Sequence, residues 1–230
     1  MKPRMPQSAK ELAVMIDAAM LRPETTRQDV HRFLEEALCY NFATVFLHPS
    51  WIGEAHQLIK DSPVGLGVVI AYPHGAHLSE TKLAEINQGL ELGADEFDMV
   101  ANIGRLRSGD YLYVADEIER CRRRCEGKIL KVIIETALLS NEEKETAARI
   151  TADAGADFVK TSTGITAQGA TTDDVTLLYD AVAGSIGIKA SGGIRKLEQA
   201  LAMIEAGASR IGASVGRAIV EEAKLYFAAQ

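Results

Sequence analysis

Two stretches of this sequence have the same residue pattern: Asp157-Phe158-Val159-Lys160-Thr161-Ser162-Thr163-Gly164 and Ile186-Gly187-Ile188-Lys189-Ala190-Ser191-Gly192-Gly193. In each, a short apolar run ends in a lysine, and small residues with glycine follow. This pattern is typical of a buried strand that passes into a loop. If the two strands are neighbours, their ammonium groups share one pocket and oppose each other's protonation, so that one amine is largely neutral near pH 7. A neutral amine attacks carbonyl carbon, and the pattern therefore indicates Schiff-base chemistry.

Similar β-branched runs recur along the chain, separated by segments with helical spacing such as Leu83, Ile86 and Leu90. Eight of these runs are candidate strands, the first being the weakest: Met15–Ala19, Ala43–His48, Leu66–Ala71, Glu96–Val100, Ile129–Glu135, Asp157–Thr161, Ile186–Ala190 and Arg210–Ala213. Strands that alternate with helices are parallel and have right-handed crossovers. The α/β pattern therefore predicts one (β/α)8 TIM barrel domain over residues 1–230, with a short helix before its first strand. An open doubly wound sheet is the alternative, although no Gly-x-Gly-x-x-Gly follows the first strands.

Composition excludes several other classes of protein. The formal net charge is −7, which argues against a nucleic-acid partner. No apolar run approaches the length of a membrane span, and Met1–Lys10 lacks the apolar stretch of a signal peptide. The three cysteines do not form a disulfide framework. We therefore expect a cytoplasmic protein with no membrane partner.

Polar residues gather at the predicted strand ends, which meet at one mouth in a barrel: Asp17, His48, Asp98, Glu135, Lys160 and Lys189. A single lysine in such a place is more often a solvated loop residue, but two on consecutive strands favour a function. Asp98 facing both lysines could hold a water and move protons. A structural ion pair between Asp98 and one lysine is the alternative. By alternation Lys131 and Glu135 share a strand face, and both buried pairing and substrate contact remain open for them.

Two glycine-containing turns follow the last two predicted strands, at Ser191–Arg195 and at Gly212–Ser214. Backbone N–H groups in such turns and at helix N-termini bind phosphate. In (β/α)8 barrels the phosphate site commonly follows the seventh and eighth strands. The turns therefore indicate a phosphorylated ligand, with plain tight turns as the alternative.

Several of these segments together resemble deoxyribose-phosphate aldolase: Pro73-His74-Gly75-Ala76, Glu96-Phe97-Asp98-Met99-Val100-Ala101-Asn102-Ile103-Gly104, Lys131-Val132-Ile133-Ile134-Glu135-Thr136, Val159-Lys160-Thr161-Ser162-Thr163-Gly164 and Lys189-Ala190-Ser191-Gly192-Gly193-Ile194-Arg195. The resemblance runs from about Asp17 to Val220. It implies a class I aldolase without metal or cofactor on a (β/α)8 barrel. Such an enzyme reversibly cleaves 2-deoxy-D-ribose 5-phosphate to D-glyceraldehyde 3-phosphate and acetaldehyde. A homo-oligomer, dimer or tetramer, is expected with it.

The resemblance also implies a role for each matching residue. Lys160 would form the Schiff base, Lys189 would make that amine less basic, and Asp98 would run a proton relay through a water. The positions that would bind the substrate or its phosphate are Gly164, Gly192, Gly193, Gly212, Ser214, Asp17 and Lys131.

The sequence departs from the family pattern in places that bear on substrate contact. Ala19 stands where a threonine is usual, Phe46 where a cysteine is common, and Val215 where a second serine is often seen. The loop 164–169 also differs. At Ala19 we expect the loss of a sugar contact or of an orienting hydrogen bond. At Phe46 we expect fewer covalent side reactions with reactive aldehydes. The substrate preference can therefore have drifted while the lysine chemistry stayed.

Two other functions are compatible with these residues. One is an aldolase, lyase or isomerase of the same barrel type that acts on a different sugar phosphate. In a lyase or isomerase of this kind the lysines would hold charge without forming an imine. The other is a non-catalytic barrel that binds a sugar phosphate.

Overall fold

The computed structural model describes residues 2–229, so Met1 and Gln230 of the predicted domain lie outside the described residues. Eight parallel strands form a closed barrel in chain order. Their bounds are β1 Ile16–Met20, β2 Thr44–Leu47, β3 Gly65–Ile70, β4 Glu96–Val100, β5 Ile129–Ile133, β6 Phe158–Lys160, β7 Gly187–Ser191 and β8 Arg210–Ala213. Pairing of β1 with β8 closes the ring. The prediction of a (β/α)8 barrel is confirmed, and the open sheet is excluded.

Ten α-helices lie among the described residues: α1 Ala9–Ala13, α2 Arg27–Tyr40, α3 Ile52–Ile59, α4 Ser79–Glu91, α5 Ile103–Arg107, α6 Tyr111–Arg124, α7 Asn141–Asp153, α8 Thr172–Val182, α9 Leu197–Ala206 and α10 Gly216–Ala228. Capping boxes fix the starts of α2 and α7, where Thr26 and Ser140 each exchange hydrogen bonds with an acidic residue three positions on. Within residues 2–229, no helix has both the length and the apolar character that a membrane crossing requires.

The two faces of each strand have different surroundings, because successive side chains point to opposite sides. In β4, Phe97 and Met99 are fully buried in the apolar layer between the barrel and the helices. Glu96 and Asp98 alternate with them and are buried inside the barrel. Burial of each large apolar side chain in the outer layer contributes about 2 kcal/mol. That layer stabilises the barrel and leaves its interior free to hold charged groups.

Candidate active site

The two lysines that end the apolar runs lie side by side at the carboxyl ends of neighbouring strands. Lys160 of β6 is in register with Lys189 of β7. Their exposed fractions are 4% and 1%, and both line a cavity of about 250 Å³ at the barrel mouth. Each Nζ donates a hydrogen bond to the same oxygen, Asp98 Oδ2, at 2.7 Å. The structure thus brings both amines and the carboxylate into one pocket.

A network of buried ion pairs extends from this pocket into the barrel. Lys189 Nζ lies 2.6 Å from Asp17 Oδ2, and Arg210 donates to Asp17 Oδ1 at 2.6 Å. Lys131 contacts Glu96 and lies 3.1 Å from Asp17 Oδ2. In total, four cationic side chains face three carboxylates: Lys131, Lys160, Lys189 and Arg210 against Asp17, Glu96 and Asp98. Arginine keeps its charge in proteins, so loss of one lysine proton would balance the network.

The electrostatics distinguish Lys189 from the carboxylates around it. Burial lowers the pKa of Lys189 from its ordinary value of 10.5 to about 8, although Asp17 and Asp98 oppose the shift. Burial alone would raise the pKa of Asp98, but Lys160, Lys189 and Lys131 outweigh it and hold that pKa at about 2. At neutral pH Lys189 is therefore mostly protonated and Asp98 is ionised. A positive charge thus lies next to the Lys160 amine.

Phe46 occupies the place of the expected cysteine and lies against the lysines. Its ring centroid is 3.8 Å from Lys189 Nζ and 4.4 Å from Lys131 Nζ, a cation–π geometry. On the neighbouring strands Phe46 is in register with Ala19 and Gly67. A Cβ at Gly67 would lie 2.4 Å from the ring, so only glycine leaves room for it. The sequence contained a signal for this contact, because a glycine inside a strand often marks a close approach.

The predicted phosphate-binding residues converge on the same cavity, whose lining includes Gly164, Gly192, Gly193, Gly212 and Ser214. Gly192 and Gly193 have φ angles of 90° and 78°, which side-chain-bearing residues rarely adopt. Successive residues of this kind form concave backbone sites that bind anions. Arg22 and Arg195 also line the cavity, although the resemblance implies no role for either.

Asp17 and Lys131, for which we expected a substrate contact, lie outside the cavity lining. Both are fully buried and are absent from the lining. On its own strand, each of the two residues lies two positions before a residue nearer the mouth. Asp17 precedes Ala19 on β1, and Lys131 precedes Ile133, which is in register with Lys160. Asp17 contacts Lys189 and Arg210, while Lys131 contacts Glu96 and lies 3.6 Å from Asp98 Oδ1.

Two other strand-end residues also differ from expectation. Glu135 does not share a face with Lys131, because β5 ends at Ile133 and Glu135 has a φ of 52°. Its carboxylate accepts hydrogen bonds from Thr163 and Thr166 instead. His48 lies outside the cavity lining, with Nε2 at 3.1 Å from the Leu21 carbonyl oxygen.

Comparisons with known proteins agree with this geometry. The sequence model of the DeoC/LacD family aldolases matches residues 11–222. A deoxyribose-phosphate aldolase of Clostridium kluyveri is 48% identical over 214 residues, covering 93% of this chain and 98% of the relative. Another, of Halalkalibacterium halodurans, is 48% identical with coverages of 92% and 96%.

A solved structure is similar as well. The tetrameric deoxyribose phosphate aldolase from Aeropyrum pernix superposes with a TM-score of 0.89 at 33% identity, covering 94% of this chain and 92% of that one. The resemblance drawn from the lysine motifs is thereby confirmed, and the chain belongs to the DeoC/LacD family of aldolases.

Proposed function

We propose that this chain reversibly cleaves 2-deoxy-D-ribose 5-phosphate to D-glyceraldehyde 3-phosphate and acetaldehyde through an imine on Lys160. One observation carries the proposal: Lys160 and Lys189 donate to a single oxygen of Asp98 at the wall of one cavity. The relatives named above that cover nearly all of the chain support the choice of substrate.

The covalent chemistry begins at the Lys160 amine. Neutral Nζ attacks C1 of the open-chain sugar, and loss of water from the adduct leaves an iminium ion. The iminium withdraws electrons, so the C2–C3 bond breaks once the C3 hydroxyl loses its proton. D-Glyceraldehyde 3-phosphate leaves, and the remaining enamine is protonated at C2. Hydrolysis of the resulting iminium releases acetaldehyde and restores Lys160.

Proton transfer falls to Asp98 and Lys189. Asp98 Oδ2 is held by both lysines, while Oδ1 accepts no hydrogen bond from the residues that the structure describes. We expect Asp98 to stay ionised and to orient a water toward the C3 hydroxyl. Lys189, with a pKa of about 8, can give or take a proton near neutral pH and completes the relay.

The phosphate would lie against the glycine turns. Gly164, Gly192, Gly193, Gly212 and Ser214 line the cavity beside the lysines and supply backbone N–H groups. Helix α10 begins at Gly216, close behind Ser214, so its N-terminal dipole adds to the attraction of an anion. Asp17 would act indirectly, by holding Lys189, and Lys131 would act by holding Asp17 and Glu96.

Reduction with borohydride tests the mechanism. Wild-type protein incubated with 2-deoxyribose 5-phosphate and borohydride should gain a stable adduct, which peptide mass mapping should place on Lys160. Lys160→Leu should gain no such adduct, whereas Lys82→Leu, which removes a buried lysine outside the cavity, should still be labelled. An adduct on Lys189, or no adduct in the wild type, would contradict the proposed role of Lys160.

We also propose a homo-oligomer. The Aeropyrum pernix relative is tetrameric, and this chain exposes large apolar side chains, among them Leu112 at 87% and Leu225 at 77%. Light scattering of the purified protein should give a multiple of 24.8 kDa. A mass of one chain at micromolar concentration would contradict this.

A cytoplasmic location completes the proposal. Its support is the cysteine content, because Cys39, Cys121 and Cys125 are all free thiols. Fractionation of cells that express the protein, followed by immunodetection, should place it with the cytoplasmic markers.

A further inference from the structure

The segment between β6 and α8, residues 161–171 and called here the β6 loop, forms one wall of the cavity. Thr163, Gly164 and Ile165 of this loop line the cavity directly. Gly164 has a φ of 81°, and a Cβ placed on it would lie 3.4 Å from the Gly192 Cα. The β6 loop therefore faces the glycine turn that follows β7. The two backbones can bind one anion together only while the loop keeps this position.

Glu135 holds the first half of the β6 loop. One of its oxygens, Oε2, accepts three hydrogen bonds: from Thr163 N at 3.1 Å, Thr163 Oγ1 at 2.6 Å and Thr166 Oγ1 at 2.6 Å. Glu135 is 1% exposed and does not line the cavity. Hydrogen bonds to a charged acceptor are about twice as strong as neutral ones, so the Glu135 carboxylate restrains Thr163 and Thr166 of the β6 loop strongly.

The backbone of Glu135 is itself unusual. Its φ of 52° lies in the left-handed region, which costs energy for a residue with a long side chain. This conformation turns Glu135 out of the β5 line and toward the β6 loop. A strained residue that makes three hydrogen bonds to one loop indicates that the loop position matters.

Other contacts fix the rest of the loop. Burial, together with Glu135 and Asp98, raises the pKa of Tyr72, so its hydroxyl stays protonated and donates to the Thr163 carbonyl oxygen at 2.9 Å. At the far end, Ala170 N donates to the carbonyl oxygens of Ser191 and Gly192 at 3.0 and 3.1 Å. The β6 loop is thus held at both ends, with Gly164 and Ile165 between.

The anchor also decides which loop N–H groups are engaged. Thr163 N donates to Glu135, while Ile165 N and Thr166 N lie 3.3 and 3.4 Å from Thr163 Oγ1, which itself donates to Glu135. These three donors are engaged by acceptors within the protein. Gly164 N is not among them.

We propose that Glu135 is a positioning residue that sets phosphate recognition by fixing the β6 loop against the turn at Gly192, so that Gly164 and Gly192 meet the same phosphate. The inference rests on the proposed function, since it assumes that the cavity takes a phosphorylated sugar. Glu135 touches no reacting atom and acts through Thr163 and Thr166.

The test compares cleavage of 2-deoxyribose 5-phosphate with cleavage of 2-deoxyribose, which lacks the phosphate. Glu135→Asn keeps the left-handed backbone, which asparagine tolerates, but its side chain is too short to reach the loop. It should lower the preference for the phosphorylated substrate about tenfold, mainly through a higher KM. Thr166→Val, which removes one donor, should lower the preference about threefold. Glu135→Gln retains an acceptor oxygen but loses the charge, so it should lower the preference by less than Glu135→Asn.

Glu117→Gln is the matched control, because Glu117 is an equally buried carboxylate outside the cavity. It should leave the substrate preference unchanged. A purely structural role for Glu135 would slow both substrates equally, and that result would overturn the inference. An unchanged preference in Thr166→Val and Glu135→Asn would do the same, and Thr166→Val still decides the matter if Glu135→Asn fails to fold.

Binding of inorganic phosphate separates this inference from the proposed function. Calorimetry needs no turnover, and Glu135→Asn should bind phosphate about tenfold more weakly than wild type. Equal phosphate affinity would count against Glu135 even if the borohydride adduct forms at Lys160. A missing adduct with the expected loss of phosphate affinity would leave the positioning role standing and contradict only the imine mechanism.

Discussion

The protein buries lysines in two different settings. Lys82 lies between α4 and α6, where its Nζ donates to Glu117 Oε2 at 2.6 Å and to the Val100 carbonyl oxygen at 2.8 Å. Lys82 and Glu117 are both fully buried and neither lines the cavity. Lys160 instead shares one Asp98 oxygen with Lys189 and reaches the cavity.

The difference lies in charge balance and access, since all of these lysines are buried. At Lys82 one cation meets one carboxylate and both are sealed from solvent, so the charged form is compensated. Around Lys160 the cations outnumber the carboxylates, and a substrate can enter. We therefore expect a buried lysine to be reactive where the cationic side chains around it outnumber the carboxylates and a cavity gives substrate access to its amine.

The largest expected effect comes from exchanging the two lysines for leucine in separate variants. Lys160→Leu should lower the rate of cleavage more than about a thousandfold, because the nucleophile is lost. Its free energy of unfolding should change little, since a surplus charge is removed. Lys82→Leu should instead cost about 3–5 kcal/mol by leaving Glu117 unpaired, and the folded fraction should keep its turnover. Denaturant unfolding and initial rates check both. Similar losses of stability in the two variants would contradict the distinction between a charge-paired Lys82 and a surplus charge at Lys160.

Asp98→Asn should have the second largest effect. The amide keeps the size of the side chain but loses the charge that both lysines share, so kcat should fall about a hundredfold as the proton relay fails. Imine formation should persist, because the amines then repel each other without a counter-charge. Borohydride labelling of the variant measures this. If labelling at Lys160 disappears together with turnover, Asp98 is needed for the imine and its role here is wrong.

A pH profile tests the charge on Lys189. Because burial lowers its pKa to about 8, the ammonium is lost as pH rises through that value, and kcat/KM should fall there. Lys189→Met should lack this descending limb. The lowered pKa of Lys189 also affects stability. Between pH 8 and 10.5 this lysine is protonated in the unfolded chain but neutral in the folded protein, so its contribution to the free energy of unfolding rises with pH. A kcat/KM that stays flat up to pH 10 in the wild type would refute the assignment.

The smallest expected effect concerns Phe46. Phe46→Cys introduces a thiol beside the lysines, and we expect it to lose activity faster than wild type in concentrated acetaldehyde. Phe46→Ala opens a similar space without a thiol and separates loss of packing from covalent modification. Residual activity after timed exposure gives the comparison. Equal survival of wild type and Phe46→Cys would show that the side chain at this position does not govern aldehyde damage.

The barrel and the central lysine pair could be predicted from the sequence for physical reasons. Strand runs with buried faces have a strong pattern, and the carboxyl ends of parallel strands must meet, so Lys160, Lys189 and Asp98 were placed together by topology alone. How far Asp17 and Lys131 lie from the barrel mouth could not be predicted from the sequence. It depends on the stagger between strands, which shifts each strand along the barrel axis relative to its neighbour.

Two further features depended on tertiary contacts. The left-handed turn at Glu135 breaks the alternation that placed it beside Lys131, and nothing in Ile133-Ile134-Glu135 marks that break. The ring of Phe46 fits only because its neighbours are small, which requires knowing that Ala19, Phe46 and Gly67 are in register across three strands.

The row formed by Ala19, Phe46 and Gly67 links two of the departures from the family pattern, those at positions 19 and 46. Ala19 and Phe46 are adjacent across the β1–β2 pair and both line the cavity, so the missing hydroxyl and the added ring form one steric exchange. Because Ala19 and Phe46 are paired across the two strands, we expect a branched residue at position 19 to crowd the ring. We expect a thiol at position 46 to leave a void beside Gly67. We therefore expect substitutions at the two positions to be coupled, so that exchanging both together costs less stability than the sum of the single exchanges.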